Sequence, residues 1–117
     1  MQASVGRYLE CWNELDPARR RRALAELFVE RCTYVDPLAA VHGVGELAEL
    51  IGNVQGQLAG VRFVPGDHFD AHHDQARFTW HALVPGADEP IVIGFDVAVF
   101  DGALIRDVHG FIDRMPG

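Results

Sequence analysis

The sequence predicts an α+β fold in which three helices, gathered in the first half, pack on one face of a curved sheet formed by the second half. Three observations predict it. Up to Leu58 apolar residues recur three and four apart, and after Gly60 they alternate with polar ones. Turn-forming clusters at His73-Asp74-Gln75, Pro85-Gly86-Ala87-Asp88 and Asp101-Gly102 cut the second half into an antiparallel meander. One short strand, residues 32–36, stands apart from that meander between two helical patterns.

Taken in order, the first helix is expected over residues 4–15, with Val5, Tyr8, Leu9, Trp12 and Leu15 on its inner stripe. Asp16 then caps a second helix and Pro17 occupies its first position, where a missing N–H costs nothing. That helix is expected to reach residue 30, with Ala23, Leu24, Leu27 and Phe28 inward. A third helix over residues 44–58 carries Leu47, Leu50, Ile51, Val54 and Leu58 on one stripe, with Gly60 as its C-terminal stop. Residues 61–72 read as one long strand bent at Pro65-Gly66. Strands over residues 77–84, 91–100 and 104–112 follow. No linker, repeat or low-complexity segment interrupts the 117 residues, so a single domain spanning 1–117 is expected.

Composition narrows the chemistry. About half the residues, 49%, are hydrophobic, enough for a real core, but no run approaches a membrane span. The start of the chain lacks a charged segment followed by an apolar block, so no signal peptide is expected. Cys11 and Cys32 fall on apolar faces and read as reduced core thiols of a cytoplasmic protein. A net charge of −7 argues against nonspecific nucleic-acid binding, and Arg19 to Arg22 read as a solvated helix surface. There is no lysine, which excludes Schiff-base chemistry, and the only serine, Ser4, is poorly placed for a serine triad. Acid–base chemistry by Asp, His and Tyr remains.

Two motifs carry less than their spelling suggests. His72-His73-Asp74 falls at a turn, where adjacent side chains diverge and further ligands at metal spacing are missing, so no metal is expected. Gly43-Val44-Gly45-Glu46-Leu47-Ala48 fits a dinucleotide fingerprint on paper. No later helix exists to build the βαβ unit that fingerprint needs, so no cofactor is expected either.

The candidate site residues come from alternation. Cys32, Tyr34 and Asp36 share one face of the short strand, and Pro37 holds Asp36 extended. A partly buried Asp36 would be costly unless paired or used; the competing reading is a capped turn. Asp96 sits mid-strand between Phe95 and Val97, where Asp is disfavoured, on a face with Val92, Gly94, Ala98 and Phe100. Burial there would raise its pKa. Asp107 and His109 alternate with Phe111 on the last strand and offer an acid–base pair, or else an outward Asp and a hydrogen-bonded His. Tyr8 lies on an apolar stripe and reads either as core or as a hydrogen-bond donor.

Together these features resemble the nuclear transport factor 2-like superfamily, which includes SnoaL-like polyketide cyclases and ketosteroid isomerases. The matching stretches are Trp12-Asn13-Glu14-Leu15-Asp16, Tyr34-Val35-Asp36-Pro37, His42-Gly43, Gly60, Arg77-Phe78-Thr79-Trp80, Gly94-Phe95-Asp96, Asp101-Gly102 and Gly110-Phe111. The resemblance implies a cone-shaped, curved antiparallel sheet wrapped around the helices. It also implies a deep apolar pocket for a hydrophobic small molecule and a homodimer built through the sheet. It assigns Asp36 as the base that moves a proton alpha to a carbonyl, with Tyr8 and a protonated Asp96 supporting the oxyanion, as in the isomerase pattern. It points His109 and Asp107 toward the cavity, as a competing acid–base pair nearer the cyclase pattern. Trp12 and Phe111 read as core or dimer-face residues or as pocket lining, and Tyr34, on the Asp36 face, as pocket lining. The implied activity is cofactor-independent isomerisation, cyclisation or dehydration; a noncatalytic ligand-binding or dimerisation domain is the alternative.

Overall fold

A computed structural model describes residues 1–116. Helix α1 spans Gln2–Cys11, α2 Pro17–Leu27 and α3 Gly43–Gln57. The strands are β1 Phe28–Val35, β2 Ala40–His42, β3 Arg62–His72, β4 Gln75–Leu83, β5 Val92–Asp101 and β6 Leu104–Arg114. They form one six-stranded curved sheet in the order β2-β1-β6-β5-β4-β3, open at both edges.

The α+β class and the helices-then-meander order hold. The expected all-antiparallel sheet does not: β1 runs parallel to β6 and makes the sheet mixed. The long connection through α3 and the meander allows this pairing, which a hairpin cannot. Helix α1 stops at Cys11 rather than at residue 15, and Leu15 is 74% exposed instead of inward. The reason lies downstream. Asp16 takes extended dihedrals before Pro17 and its side chain accepts the Ala18 and Arg19 N–H groups at 2.9 and 3.3 Å. Helix α2 also ends early, at Leu27. Phe28 turns extended and opens β1, so it enters the core as a strand residue. The β-branched and aromatic content of Phe28–Val35 favours that outcome.

Between α1, α2 and α3 the buried Arg20 contradicts the solvated reading of its basic run. Its guanidinium donates to Glu14 O (3.1 Å), Ala48 O (3.3 Å), Leu15 O (3.4 Å) and Gln55 Oε1 (2.6 Å), none of them a carboxylate. Gln55 Nε2 in turn donates to Trp12 O and Glu14 O. The carbonyls freed where α1 stops are thus satisfied by two side chains, as buried polar groups require.

One apolar core lies between the helices and the inner face of the sheet. Tyr8, Leu24, Leu47 and Ile51 reach it from the helices, and Phe28, Ile105 and Val108 from the strands. Asn13 bonds both backbone groups of Phe63 at 2.7 Å and ties the segment after α1 to β3.

Candidate functional site

Strand register brings the site together. Asp96 on β5 is paired with Gly110 on β6, and the parallel β1–β6 pairing of Val35 with His109 sets Asp36, the next residue, beside Gly110 on its other flank. Directly paired residues point to the same side of a sheet, and Asp96 points inward, 4% exposed. A Cβ on Gly110 would lie 3.0 Å from Asp96 Oδ1 and 3.2 Å from the Asp36 Cβ. The missing side chain is what lets the two acidic residues come together on either side of Gly110.

They open onto an apolar cavity of about 110 Å³. Tyr34, Trp12, Phe63 and Trp80 form, in that order, a contiguous aromatic wall, with successive ring centroids 5.9, 5.5 and 5.8 Å apart. Leu9, Val54, Leu58, Val92 and Ile112 complete the sides, and Leu38 and Met115 stand at the mouth. Among the described residues no basic side chain lines it.

Asp96 accepts a hydrogen bond from Trp80 Nε1 at 3.1 Å. Burial raises its pKa to about 7; the Trp80 bond opposes that rise and the neighbouring Asp36 adds to it. Its carboxyl therefore keeps a proton up to neutrality. Trp80 reaches it by lying across Gly94, where any side chain would collide with the indole ring. From the sequence Trp80 reads only as one of the core, dimer-face or pocket aromatics, with no role of its own. The available signal was its place in the alternation Ala76, Phe78, Trp80, Ala82, together with the need of a buried indole N–H for an acceptor.

Asp36 lines the cavity and also caps the turn after β1, so both of its readings describe it. Oδ1 accepts the N–H groups of Leu38 and Ala39, each at 2.8 Å, and Oδ2 accepts the Tyr34 hydroxyl at 2.6 Å. Burial, then Tyr8 and the two Asp residues, holds the Tyr34 phenol far above its ordinary pKa, so Tyr34 stays a donor. Tyr8 lies fully buried behind this wall, edge-on to Phe28 and Phe78, and does not line the cavity. Its Oη has no well-formed hydrogen bond among the described residues. Burial, then Asp96, pushes its pKa well up.

Three placements expected from the sequence are corrected. Asp107, His109 and Phe111 lie on the outer face, because Gly110 between them is the inward residue. His109 is exposed and pairs with Val97. Burial acts to raise the Asp107 pKa, but the bonds from Thr33 Oγ1 at 2.7 Å and Arg106 Nε at 2.8 Å outweigh it and the net shift is downward. Phe111 is 51% exposed and stacks on Phe95 at 4.9 Å, so it does not line the pocket. Trp12 and Tyr34 do line it.

Helices cupped by a curved sheet, with a carboxylate pair in an apolar cavity between them, define a pocket protein of the nuclear transport factor 2-like superfamily. Comparison with solved structures narrows this further. A candidate isomerase of the SnoaL-like family from Agrobacterium tumefaciens strain C58 superposes with a TM-score of 0.90 at 33% identity, over 96% of each chain. The chain belongs to the SnoaL-like family. A protein of cystatin-like fold from Methylobium petroleophilum PM1 matches with a TM-score of 0.75 and 19% identity, over 99% of this chain and 77% of that one. A ketosteroid isomerase-like fold from Catenulispora acidiphila, in complex with trimethylamine, matches with a TM-score of 0.72 and 19% identity, over 92% and 82%. No family sequence profile and no curated protein matches the chain.

Proposed function

We propose that this protein is a cofactor-independent acid–base catalyst that isomerises, cyclises or dehydrates a hydrophobic carbonyl compound in the cavity. One observation carries the reading: a carboxyl protonated near neutrality and a second carboxylate flank Gly110 inside one apolar hollow. Asp36 takes the proton alpha to the carbonyl, and the C–H electron pair moves into the enolate. Asp96 O–H donates to the enolate oxygen, and Asp36 returns the proton. A positioned base supplies about 100- to 10,000-fold, and an oxyanion donor about 100- to 1,000-fold more. The similarity to a candidate SnoaL-like isomerase supports this class.

The test is exchange of alpha protons into D2O, followed by NMR on a simple cyclic ketone. Asp36→Asn should lower the exchange rate by about 100-fold or more while the circular dichroism spectrum stays unchanged. Full exchange in that variant would remove Asp36 as the base.

A noncatalytic binding role has its own support. Asp36 already accepts three hydrogen bonds, which occupy the lone pairs a base would use. Binding of a ketone without exchange would favour it. Under either reading the protein forms a homodimer through the outer sheet face, where Phe95 stacks on Phe111 and Val97 and Val99 lie among His109, Asp107, Arg77 and Gln75. It works in the reducing cytoplasm, since Cys11 and Cys32 are free and buried and burial pushes the Cys11 thiol up to about 11.

A further inference from the structure

The cavity is small for the chemistry assigned to it. Sites for drug-sized ligands hold about 300–1,000 Å³, and an apolar protein cavity of about 150 Å³ takes a molecule the size of benzene. This one, at about 110 Å³, lies below both. It has a floor and a mouth. Asp96, 4% exposed, marks the floor. Asp36 is half-buried and lies nearer the opening. Leu38 and Met115, the exposed members of the lining, are 79% and 53% exposed and frame the mouth. Leu38 does not sit there by accident of a loose loop, because Asp36 Oδ1 holds its N–H at 2.8 Å.

We propose that the substrate is a head-and-tail molecule: the carbonyl edge of a head no larger than a single ring enters the cavity, and the rest of the head with an apolar tail leaves through the mouth across Leu38 and Met115. A fused multi-ring compound is larger than the enclosed part of the cavity. The inference rests on the acid–base reading for the pose of the head, but the size limit and the tail path rest on the cavity alone. The carbonyl oxygen points to Asp96 at the floor. The carbon that loses its proton then faces Asp36, on the side of the carbonyl toward the mouth, which is the side that bears the tail.

Trp12 and Trp80, the chain's two tryptophans, both line the cavity, so their fluorescence reports its occupancy. Three probes are titrated at about pH 6, where Asp96 holds its proton: cyclohexanone, 2-hexylcyclohexanone and a fused four-ring ketone. The tailed ketone should bind about tenfold or more tighter than cyclohexanone, from apolar area covered at the mouth. The four-ring ketone should bind at least about tenfold more weakly than the tailed one. Leu38→Asp should shrink the advantage of the tail to about threefold or less.

Equal binding with and without the tail, four-ring binding as tight as the tailed ketone, or no binding by any of the three would overturn the proposal. Proton exchange separates it from the reading beneath it. If the binding order holds and no exchange occurs, the acid–base reading fails and the head-and-tail ligand stands. If the four-ring ketone binds tightly and exchanges fastest, the size limit fails and the acid–base reading stands.

Discussion

Asp96 keeps its proton because the strand that carries it is walled in on the inner face, where water that would stabilise the anion is excluded. This couples folding to pH. In the unfolded chain the carboxyl ionises near its ordinary value of 3.8, and in the folded chain burial raises this to about 7. Between those values the folded state binds more protons, so stability falls as pH rises through this window. The drop attributable to Asp96 is on the order of 3 kcal/mol from pH 4 to pH 7, levelling off above. Asp96→Asn keeps an acceptor for Trp80 and carries no charge, so it should flatten this slope and be more stable than the parent at pH 8. Urea denaturation of both proteins at pH 4, 6 and 8 checks this, and parallel slopes would place the ionised carboxylate in contact with water.

At the scale of elements, the site depends on where two helices stop. Ending α1 at Cys11 frees the carbonyls of Trp12, Glu14 and Leu15, and Arg20 with Gln55 takes them up. Through the same network α2 and α3 are held against the segment that carries Trp12, one wall of the cavity. A planar guanidinium serves four acceptors in different directions, and an ammonium cannot reproduce that fork. Arg20→Lys should therefore cost about 1–3 kcal/mol despite keeping the charge, measured as a lower urea midpoint. A change under about 0.5 kcal/mol would mean that water satisfies these carbonyls as well as Arg20 does.

For the molecule as a whole, the two faces of the sheet divide the work. The inner face holds the cavity. The outer face presents Phe95, Val97, Val99 and Phe111, with Val35 at 42% exposure on the neighbouring strand. Under the proposed function this face is the dimer contact. Val97→Asp lies at the middle of that face and away from the cavity lining. It should convert a dimer of the wild-type chain into a monomer by sedimentation velocity, with the secondary structure retained. A monomeric wild type would remove the dimer from the proposed function.

By itself the sequence determined the fold class, the meander and its turns, the cap at Asp16 and the inward face of β5 with Asp96 upon it. These follow from periodicity and turn chemistry, which act between residues close in the chain. It could not fix the end of α1, the start of β1, the burial of Arg20 or the direction of the last strand's faces. Alternation along residues 104–112 separates two faces but does not say which is inner. The pairing of Asp96 with Gly110 decides that, and it turns Asp107, His109 and Phe111 outward. The meeting of Asp36 with Asp96 is likewise a product of the parallel β1–β6 register, a contact between positions far apart in the chain. Only tertiary structure could decide it, because local preferences hold no information about which strands become neighbours.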